Sequence, residues 1–145
     1  MAIVGTHCIL ELYDCPPSLL DNLEFVRNAL VEAADEGLSL LLKHVTYRFH
    51  PQGVTALGLL AESHISIHTW PEHGYVGSDM FTCGNTADPK RACMYLVGAF
   101  EAGRYDLIEM PRGGGAPPNA RLQPNLVSSG STLATAHAAN ELFDG

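Results

Sequence analysis

Residues 61–75 read Ala-Glu-Ser-His-Ile-Ser-Ile-His-Thr-Trp-Pro-Glu-His-Gly-Tyr, and the rest of the chain is organised around them. Apolar and polar side chains alternate from residue 63 to residue 69, which predicts a strand. One face of that strand carries Ile65, Ile67 and Thr69. The other face carries His64, Ser66, His68 and Trp70. Two histidines and a tryptophan on one face are unusual for packing alone, so the stretch predicts a functional site.

Each of these side chains also has an ordinary structural explanation. A single histidine on a strand is usually hydrogen-bonded to a nearby carbonyl or carboxylate. Trp70-Pro71 can simply end a strand, and a free cysteine such as Cys83 is commonly a small buried apolar residue. A functional site is nevertheless favoured, because these reactive side chains are gathered in one short segment of the chain.

The composition bounds the class of protein. With 145 residues, 46% hydrophobic and 17% charged, the chain predicts one globular domain with its own core. Its net charge of −8 argues against nucleic-acid binding and is compatible with a cationic small substrate. No apolar run has the length of a membrane span and no signal peptide is apparent, so we expect a cytoplasmic protein. The four cysteines have no CxxC spacing and are expected to be free thiols.

The pattern of elements predicts an α+β fold, a two-layer α/β sandwich in which a mainly antiparallel sheet carries two helices on one face. Strands are predicted over residues 4–13, 38–49, 54–61, 63–69, 75–83 and 104–110. The turn sequence at residues 51–53, Pro-Gln-Gly, indicates an antiparallel hairpin between the second and third strands.

Two amphipathic helices are predicted between these strands. The first is capped by Ser18 and ends at Gly37, and the second begins with Asp88-Pro89. Residues 1–110 are expected to form the domain. Residues 111–145 are expected to form a Gly- and Pro-rich tail, flexible to about residue 130, with a short helix over residues 131–143.

The junction at Glu62-Ser63 is unusual, because two predicted strands follow each other there with almost no turn residues. Either the backbone bends sharply or the mature chain is not continuous. A serine hydroxyl can attack the preceding carbonyl to form an ester, and β-elimination then cleaves the chain and leaves a pyruvoyl group after hydrolysis. This reaction needs a strained peptide with donors and bases beside it, such as His68 and Thr55. The residues alone leave Ser63 and Ser66 both open as the reacting serine.

Two other chemistries use the same side chains. A metal site would combine His64, His68, His73 and Cys83, but on a strand the first two lie roughly 13 Å apart, too far for one zinc ion. A cysteine nucleophile would be Cys83 activated by His68 and Asp79. Nothing around Cys83 resembles a hydrolase signature, and such triads are recognised by geometry and not by sequence.

The motifs taken together resemble a known family. They are the run ESHISIHTWPE at residues 62–72, Gly74-Tyr75, Asp79 and FTCG at residues 81–84, with GTH at 5–7, LELY at 10–13 and PQGV at 51–54. This combination resembles the short prokaryotic, pyruvoyl-dependent S-adenosylmethionine decarboxylases. The likeness covers roughly residues 4–110, and the run at residues 62–72 is too specific to arise by chance.

The resemblance implies an enzyme that cleaves itself between Glu62 and Ser63, into a β chain of residues 1–62 and an α chain of residues 63–145. Ser63 would become a covalent pyruvoyl group, whose carbonyl forms a Schiff base with the substrate amine.

The resemblance also implies roles for further residues. His68 matches a processing histidine, and Thr55 stands where the family usually has a processing serine. Cys83 matches the proton donor to the substrate α-carbon, and Glu72 the carboxylate that holds the ribose hydroxyls. The positions matched to the rest of the substrate are Phe49, Val54, Ile65, Trp70 and Tyr75. The chain departs from the usual pattern at residues 76–78, Val-Gly-Ser, where Ala-Ala-Val is typical, and at Gly113, where an apolar residue is typical.

The implied reaction is decarboxylation of S-adenosylmethionine to the propylamine donor for spermidine synthesis. The resemblance implies a homodimer of cleaved protomers whose sites use residues of both subunits. Two alternatives remain at this point. The scaffold also occurs in decarboxylases of arginine or ornithine, and uncleaved relatives serve as regulatory partners. Intact Ser63, His68 and Cys83 argue against an uncleaved regulatory partner.

Overall fold

The computed structural model describes residues 3–115 and 125–129. Within these ranges the chain forms seven strands and three helices. The strands are β1 (Ile3–Tyr13), β2 (Leu41–Arg48), β3 (Val54–Leu60), β4 (Ser63–Trp70), β5 (Tyr75–Cys83), β6 (Arg104–Gly113) and β7 (Asn125–Ser128). The helices are α1 (Pro17–Leu20), α2 (Leu23–Glu36) and α3 (Pro89–Ala99), and a 3-10 turn covers Pro71–His73. None of the described helices has the length and apolar character of a membrane span.

The strands of the described ranges form a single antiparallel sheet in the order β2-β3-β4-β5-β1-β6-β7. Strands β2 to β5 follow one another as neighbours, and the hairpin predicted at residues 51–53 joins β2 to β3. The N-terminal strand β1 lies between β5 and β6 near the middle of the sheet. The predicted α+β sandwich, an antiparallel sheet with its helices on one face, is confirmed.

Helices α2 and α3 cover one face of the sheet, and the core lies between these two layers. The helices contribute Val26, Ala29, Leu30, Ala33 and Ala34 from α2, and Ala92, Cys93 and Leu96 from α3. The strands contribute Cys8, Leu10, Leu12, Val54, Ala56, Leu60, Ile65, Ile67, Val76 and Met80. Because side chains alternate along a strand, the intervening residues point to the other side, which no described helix covers. We call this side the open face.

The helix boundaries differ from the prediction at one end. Ser18, predicted to cap a long first helix, lies inside the short helix α1, and the chain turns at Asp21 before α2 begins. The N-cap of α2 is Asn22, whose side-chain oxygen accepts the backbone N–H of Phe25 at 3.0 Å. The predicted caps at the other boundaries are confirmed, with Gly37 at the end of α2 and Asp88 at the start of α3.

The region after residue 110 also differs from the prediction. Strand β6 continues to Gly113, because Pro111 and Arg112 keep their pairing with β1. Residues 125–128 form β7, which pairs with β6 from Asp106 to Glu109. The prediction of a flexible tail is therefore wrong for these two segments. The helix predicted over residues 131–143 lies outside the described residues.

Candidate active site

The open face carries most of the site residues that the sequence predicts. In β4 they are His64, Ser66, His68 and Trp70, and in β5 they are Tyr75, Asp79 and Cys83. The antiparallel register places Ser66 opposite Asp79 and Trp70 opposite Tyr75. Groups that are distant in the sequence therefore lie next to each other on two adjacent strands.

The connection between β3 and β4 consists of Ala61 and Glu62 alone. It is held from the side by Leu40, whose carbonyl accepts the N–H of Ala61 at 2.9 Å and whose N–H donates to the Glu62 carboxylate at 3.2 Å. Directly after this connection Ser63 has a φ angle of +154°, a region that residues other than glycine rarely adopt. Such a conformation costs about 1–3 kcal/mol. The strain lies at the serine that the sequence marks as unusual.

Cys83 contacts the carbonyl group between Glu62 and Ser63. Its backbone N–H and its thiol both donate to the carbonyl oxygen of Glu62, each at 3.0 Å. Two fixed donors on one carbonyl oxygen stabilise negative charge on that oxygen, as in the oxyanion holes of acyl-transfer enzymes. The geometry is that of two donors aimed at one carbonyl oxygen.

His64 lies beside Ser63 and is held by a carboxylate. The Ser63 hydroxyl and His64 Nδ1 are 3.4 Å apart, and His64 Nε2 lies 2.8 Å from Asp79 Oδ2. Asp79 also accepts hydrogen bonds from His7, at 2.7 Å, and from the hydroxyl of Ser66. Burial opposes ionisation of Asp79, but the hydrogen bonds from His7, Ser66 and His64 outweigh it and hold its pKa well below its usual range. The carboxylate is therefore ionised at neutral pH.

A second set of predicted residues lies around a groove near the other end of β4. The groove has a volume of about 390 Å³, and among the residues that line it are Phe49, Thr55, His68, Trp70 and Glu72. His68 Nδ1 and the hydroxyl of Thr55 are 2.9 Å apart, across the β3–β4 pair. The threonine therefore preserves the hydroxyl–histidine contact that a serine would make.

Trp70 and Tyr75 form an aromatic surface beside this groove. Their ring centroids are 5.2 Å apart, and Tyr75 also stacks on Tyr13 at 5.7 Å. The hydroxyl of Tyr75 donates to the carboxylate of Glu11. Burial, together with this bond and the charge of Glu11, raises the pKa of Tyr75 above its usual value. Tyr75 is therefore a neutral aromatic side chain over the whole physiological range.

The predicted residues thus divide into two groups within one protomer. Ser63 and His68 are five positions apart in β4, which corresponds to about 17 Å along the strand. We call Glu62, Ser63, His64 and Cys83 the cleavage half-site. We call Phe49, Thr55, His68, Trp70 and Glu72 the groove half-site. His68 makes its contact with Thr55 in the groove, whereas Ser63 contacts His64.

Two predicted substrate-binding residues lie away from both half-sites. Val54 is 0% exposed and Ile65 1% exposed, and both belong to the core between the sheet and the helices. The alternation of β4 turns Ile65 to the face opposite His64 and His68. The expectation that the side chains of Val54 and Ile65 contact substrate is therefore corrected. Both side chains pack in the core between the sheet and the helices.

The two alternative chemistries lack the geometry they need. Asp79 contacts His64 and His7, while His68 bonds to Thr55, so the triad of Cys83, His68 and Asp79 does not form. In residues 3–115 and 125–129, the group of three side chains spaced as metal ligands is His7, His64 and Asp79. It shares only His64 with the metal set that was considered, and rejected, from the sequence.

His7 and Arg112 are site neighbours that sequence reasoning missed. Arg112 lies 3.2 Å from His7 Nδ1, and its guanidinium stacks 4.8 Å from the centre of the Phe81 ring. The GTH motif at residues 5–7 marked His7 as part of a pattern. Its position beside Asp79 depends on the pairing of β1 with β5, which the sequence does not reveal.

Three of the departures from the family pattern, at residues 76, 78 and 113, can be explained by the structure. Val76 and Ser78 face the helices, and Ser78 donates to the carbonyl of Ser66 at 2.6 Å, so neither side chain reaches the open face. Gly113 has a φ angle of +86°, and a Cβ atom there would lie 2.7 Å from a methyl group of Val4. A glycine is therefore required at residue 113 by its own backbone and by β1.

The fold and the two half-sites place a strained serine, Ser63, directly after the two-residue connection between β3 and β4. The profile of the S-adenosylmethionine decarboxylase family matches residues 6–113. The S-adenosylmethionine decarboxylase proenzyme of Parasynechococcus marenigrum is 53% identical over 110 residues, 76% of this chain and 86% of the relative. The proenzyme of Thermodesulfovibrio yellowstonii is 42% identical over 113 residues, 78% of this chain and 84% of the relative.

A solved structure of an adenosylmethionine decarboxylase is also similar to this chain. The crystal structure of the adenosylmethionine decarboxylase from Aquifex aeolicus superposes with a TM-score of 0.73 and 35% sequence identity. The match covers 78% of this chain and 93% of that chain. The chain belongs to the S-adenosylmethionine decarboxylase family.

Proposed function

We propose that the chain cleaves itself between Glu62 and Ser63 and then decarboxylates S-adenosylmethionine with the pyruvoyl group formed from Ser63. The observation that carries the proposal is the pair of hydrogen bonds from Cys83 to the Glu62 carbonyl, next to the strained backbone of Ser63. The names of the relatives support it, because they describe decarboxylases that are made as proenzymes.

Self-cleavage proceeds in three stages. The Ser63 hydroxyl attacks the Glu62 carbonyl carbon, and the two Cys83 donors stabilise the negative charge on the carbonyl oxygen. The C–N bond then breaks and leaves an ester between Glu62 and the Ser63 oxygen. Removal of the Ser63 α-proton expels the Glu62 carboxylate by β-elimination, and water replaces the nitrogen of the resulting dehydroalanine, with loss of ammonia. No residue other than Ser63 is consumed.

The residues around Ser63 also suit the decarboxylation. A pyruvoyl carbonyl supplies an electron sink that accepts the electron pair released with carbon dioxide. Cleavage removes the Glu62 carbonyl from Cys83, which frees the thiol to hold a proton for the substrate α-carbon. In the groove half-site, Glu72 is an acceptor for the ribose hydroxyls. Phe49 and Trp70 offer aromatic faces to the adenine and to the sulfonium, for which cation–π attraction is worth about 0.5–2 kcal/mol.

A homodimer completes the site in this proposal, because Ser63 and His68 are too far apart within one protomer. The open face carries an apolar strip formed by Val45, Tyr47, Leu57 and Leu59, which are 44–62% exposed. A second copy packed on this strip in the opposite direction buries it. The same packing brings the partner's His68 to the cleavage half-site, where it removes the Ser63 α-proton.

Subunit complementation tests the shared site. Two inactive chains, Ser63→Ala and His68→Ala, are co-expressed with different tags and the mixed dimer is isolated. We expect the His68→Ala chain to be cleaved in the mixed dimer, because its partner supplies His68, while the Ser63→Ala chain stays intact. Failure of the His68→Ala chain to cleave in an isolated mixed dimer would show that each site is built within one protomer.

The location we propose is the cytoplasm. All four cysteines of the chain are free thiols, and three of them, Cys8, Cys15 and Cys93, are buried in the core. Free thiols of this kind are typical of proteins in a reducing compartment.

Release of labelled carbon dioxide tests the reaction itself. The purified wild type is assayed with carboxyl-labelled S-adenosylmethionine, arginine and ornithine, beside Ser63→Ala as a matched uncleaved control. We expect release from S-adenosylmethionine only, and none by the variant. Release from arginine or ornithine instead would show that the chain is an arginine or ornithine decarboxylase on the same scaffold.

A further inference from the structure

We propose that His64, oriented by Asp79, is the base that takes the hydroxyl proton of Ser63 in the first stage of self-cleavage. The inference rests on the proposed cleavage between Glu62 and Ser63. It divides the proton transfers between two histidines: His64 of the same protomer forms the ester, and the partner's His68 acts in the elimination.

The contacts of His64 set the protonation of its two ring nitrogens. Asp79 is a carboxylate and can only accept, so His64 Nε2, at 2.8 Å from Oδ2, carries a proton. In neutral histidine the other nitrogen then has a free lone pair, and Nδ1 faces the hydroxyl of Ser63 at 3.4 Å. This distance is long for a hydrogen bond, but catalytic contacts are often long before the reacting state forms and tighten within it.

Asp79 is itself held in place by two further hydrogen bonds. His7 donates to the same oxygen, Oδ2, at 2.7 Å, and the hydroxyl of Ser66 donates to Oδ1. Arg112 lies 3.2 Å from Nδ1 of His7 and donates to it, which leaves the proton of His7 on the nitrogen that faces Asp79. The carboxylate therefore cannot rotate away from His64 without breaking bonds to β1 and β4. It positions the imidazole and stabilises the imidazolium formed during the reaction.

The same tautomers argue against a metal ion at His7, His64 and Asp79. A metal ion would need the lone pairs of both Nε2 atoms, and the protons would then move to the Nδ1 atoms. The Nδ1–H of His7 would then face the guanidinium of Arg112, donor against donor, beside a second positive charge. The arrangement is that of a hydrogen-bonded relay and not of a metal site.

The proton and electron changes balance within the chain. As the oxygen–carbon bond forms, the Ser63 hydroxyl proton passes to His64 Nδ1 and the carbonyl electron pair moves onto the Glu62 oxygen. When that intermediate collapses, the C–N bond breaks and the Ser63 nitrogen takes the proton back from His64. His64 returns to its starting state, and no oxidant, reductant or cofactor is required.

The full chain is synthesised in a cell-free system, and cleavage is followed by denaturing electrophoresis with and without hydroxylamine, which attacks esters. The variants are His64→Ala, Asp79→Asn and His68→Ala, with His73→Ala as a matched control, because that histidine is exposed and outside both half-sites. The wild type must cleave for the comparison to proceed. An intact wild type would contradict the proposed cleavage and not the role of His64.

We expect His64→Ala to cleave roughly 10²–10⁴-fold more slowly than the wild type, the usual contribution of a general base. Hydroxylamine should not speed its cleavage, because ester formation is the slowed step and no ester accumulates, whereas His68→Ala should accumulate an ester that hydroxylamine cleaves. Added imidazole should restore part of the rate of His64→Ala, which a purely structural role would not allow. Asp79→Asn should be slower by about tenfold or more and should not respond to imidazole.

Three results would overturn the proposal. One is cleavage of His64→Ala at the rate of His73→Ala, and another is an ester that accumulates in His64→Ala. The third is a wild type whose cleavage stops with a chelator and returns with zinc, which would make His64 a metal ligand. If His64→Ala fails to fold by circular dichroism, Asp79→Asn decides: a folded Asp79→Asn that cleaves at the wild-type rate refutes the relay.

Discussion

Replacing Cys83 by alanine removes one of the two donors to the Glu62 carbonyl oxygen and leaves the other. The backbone N–H remains at 3.0 Å, while the thiol, also at 3.0 Å, is lost. Removal of one oxyanion-hole donor commonly slows acyl transfer about 10²–10³-fold. Because a thiol is a weak donor, we expect the lower end for self-cleavage, about 10²-fold, or about 2.7 kcal/mol in the barrier.

The assay is the time course of cleavage after cell-free synthesis, measured by denaturing electrophoresis. Cys83→Ser is the matched variant, because its hydroxyl restores a donor to the same side chain. We expect the serine variant to cleave at least about tenfold faster than the alanine variant. A role for the thiol as an oxyanion donor is refuted if the alanine variant cleaves at the wild-type rate, or if the serine variant folds normally and cleaves as slowly as the alanine variant.

Three further predictions concern the substrate, the dimer and the pH dependence of stability. Glu72→Gln should lower kcat/KM for S-adenosylmethionine about 10–100-fold, mainly through KM, because bonds to a charged acceptor are worth about 1.5–3 kcal/mol; an unchanged KM in steady-state assays would contradict the ribose contact. Leu59 is 53% exposed, so burying this exposed part in two symmetric copies is worth about 2 kcal/mol. Leu59→Glu should therefore weaken dimerisation at least about 30-fold. Analytical sedimentation measures the dimer dissociation constant of Leu59→Glu. The control is Val31→Glu, on the outer surface of α2, which should leave the dimer intact. The folded-state pKa of Asp79 lies below its ordinary value of 3.8. The contribution of Asp79 to the free energy of unfolding is therefore fully present above pH 3.8 and is lost as the pH falls towards the folded-state pKa. Urea titrations should therefore show a difference in unfolding free energy between wild type and Asp79→Asn that shrinks below pH 3.8; a difference that grows on acidification would contradict the sign.

The strands around the site could be predicted because their signals are local. Alternation from residue 63 to residue 69 predicts which side chains of β4 share a face, and the structure has that arrangement. The cap at Asp88 and the turn at residues 51–53 are likewise defined by a few adjacent residues. The same alternation predicts that Ile65 points away from His64. For the position of the Ile65 side chain, the strand pattern was therefore better evidence than the match to a substrate-binding position of the family.

The remaining features depend on pairing between distant segments. Strand β1 lies between β5 and β6, which brings His7 to Asp79 across 72 positions of the sequence. Strand β7 has only four residues and takes its hydrogen bonds from β6, so its own sequence carries little signal. The separation of Ser63 from His68 also appears only once the contacts of each are known. A motif that places both residues within one short run does not show that they serve different half-sites.

Self-cleavage between Glu62 and Ser63 is tested by the intact masses of the purified wild type and of Ser63→Ala. We expect two wild-type chains, residues 1–62 with a free carboxylate and residues 63–145 with an N-terminal pyruvoyl group that blocks sequencing. Ser63→Ala should give one chain of 145 residues. A wild type that remains a single chain, or one cut at any other bond, would rule out self-cleavage between Glu62 and Ser63.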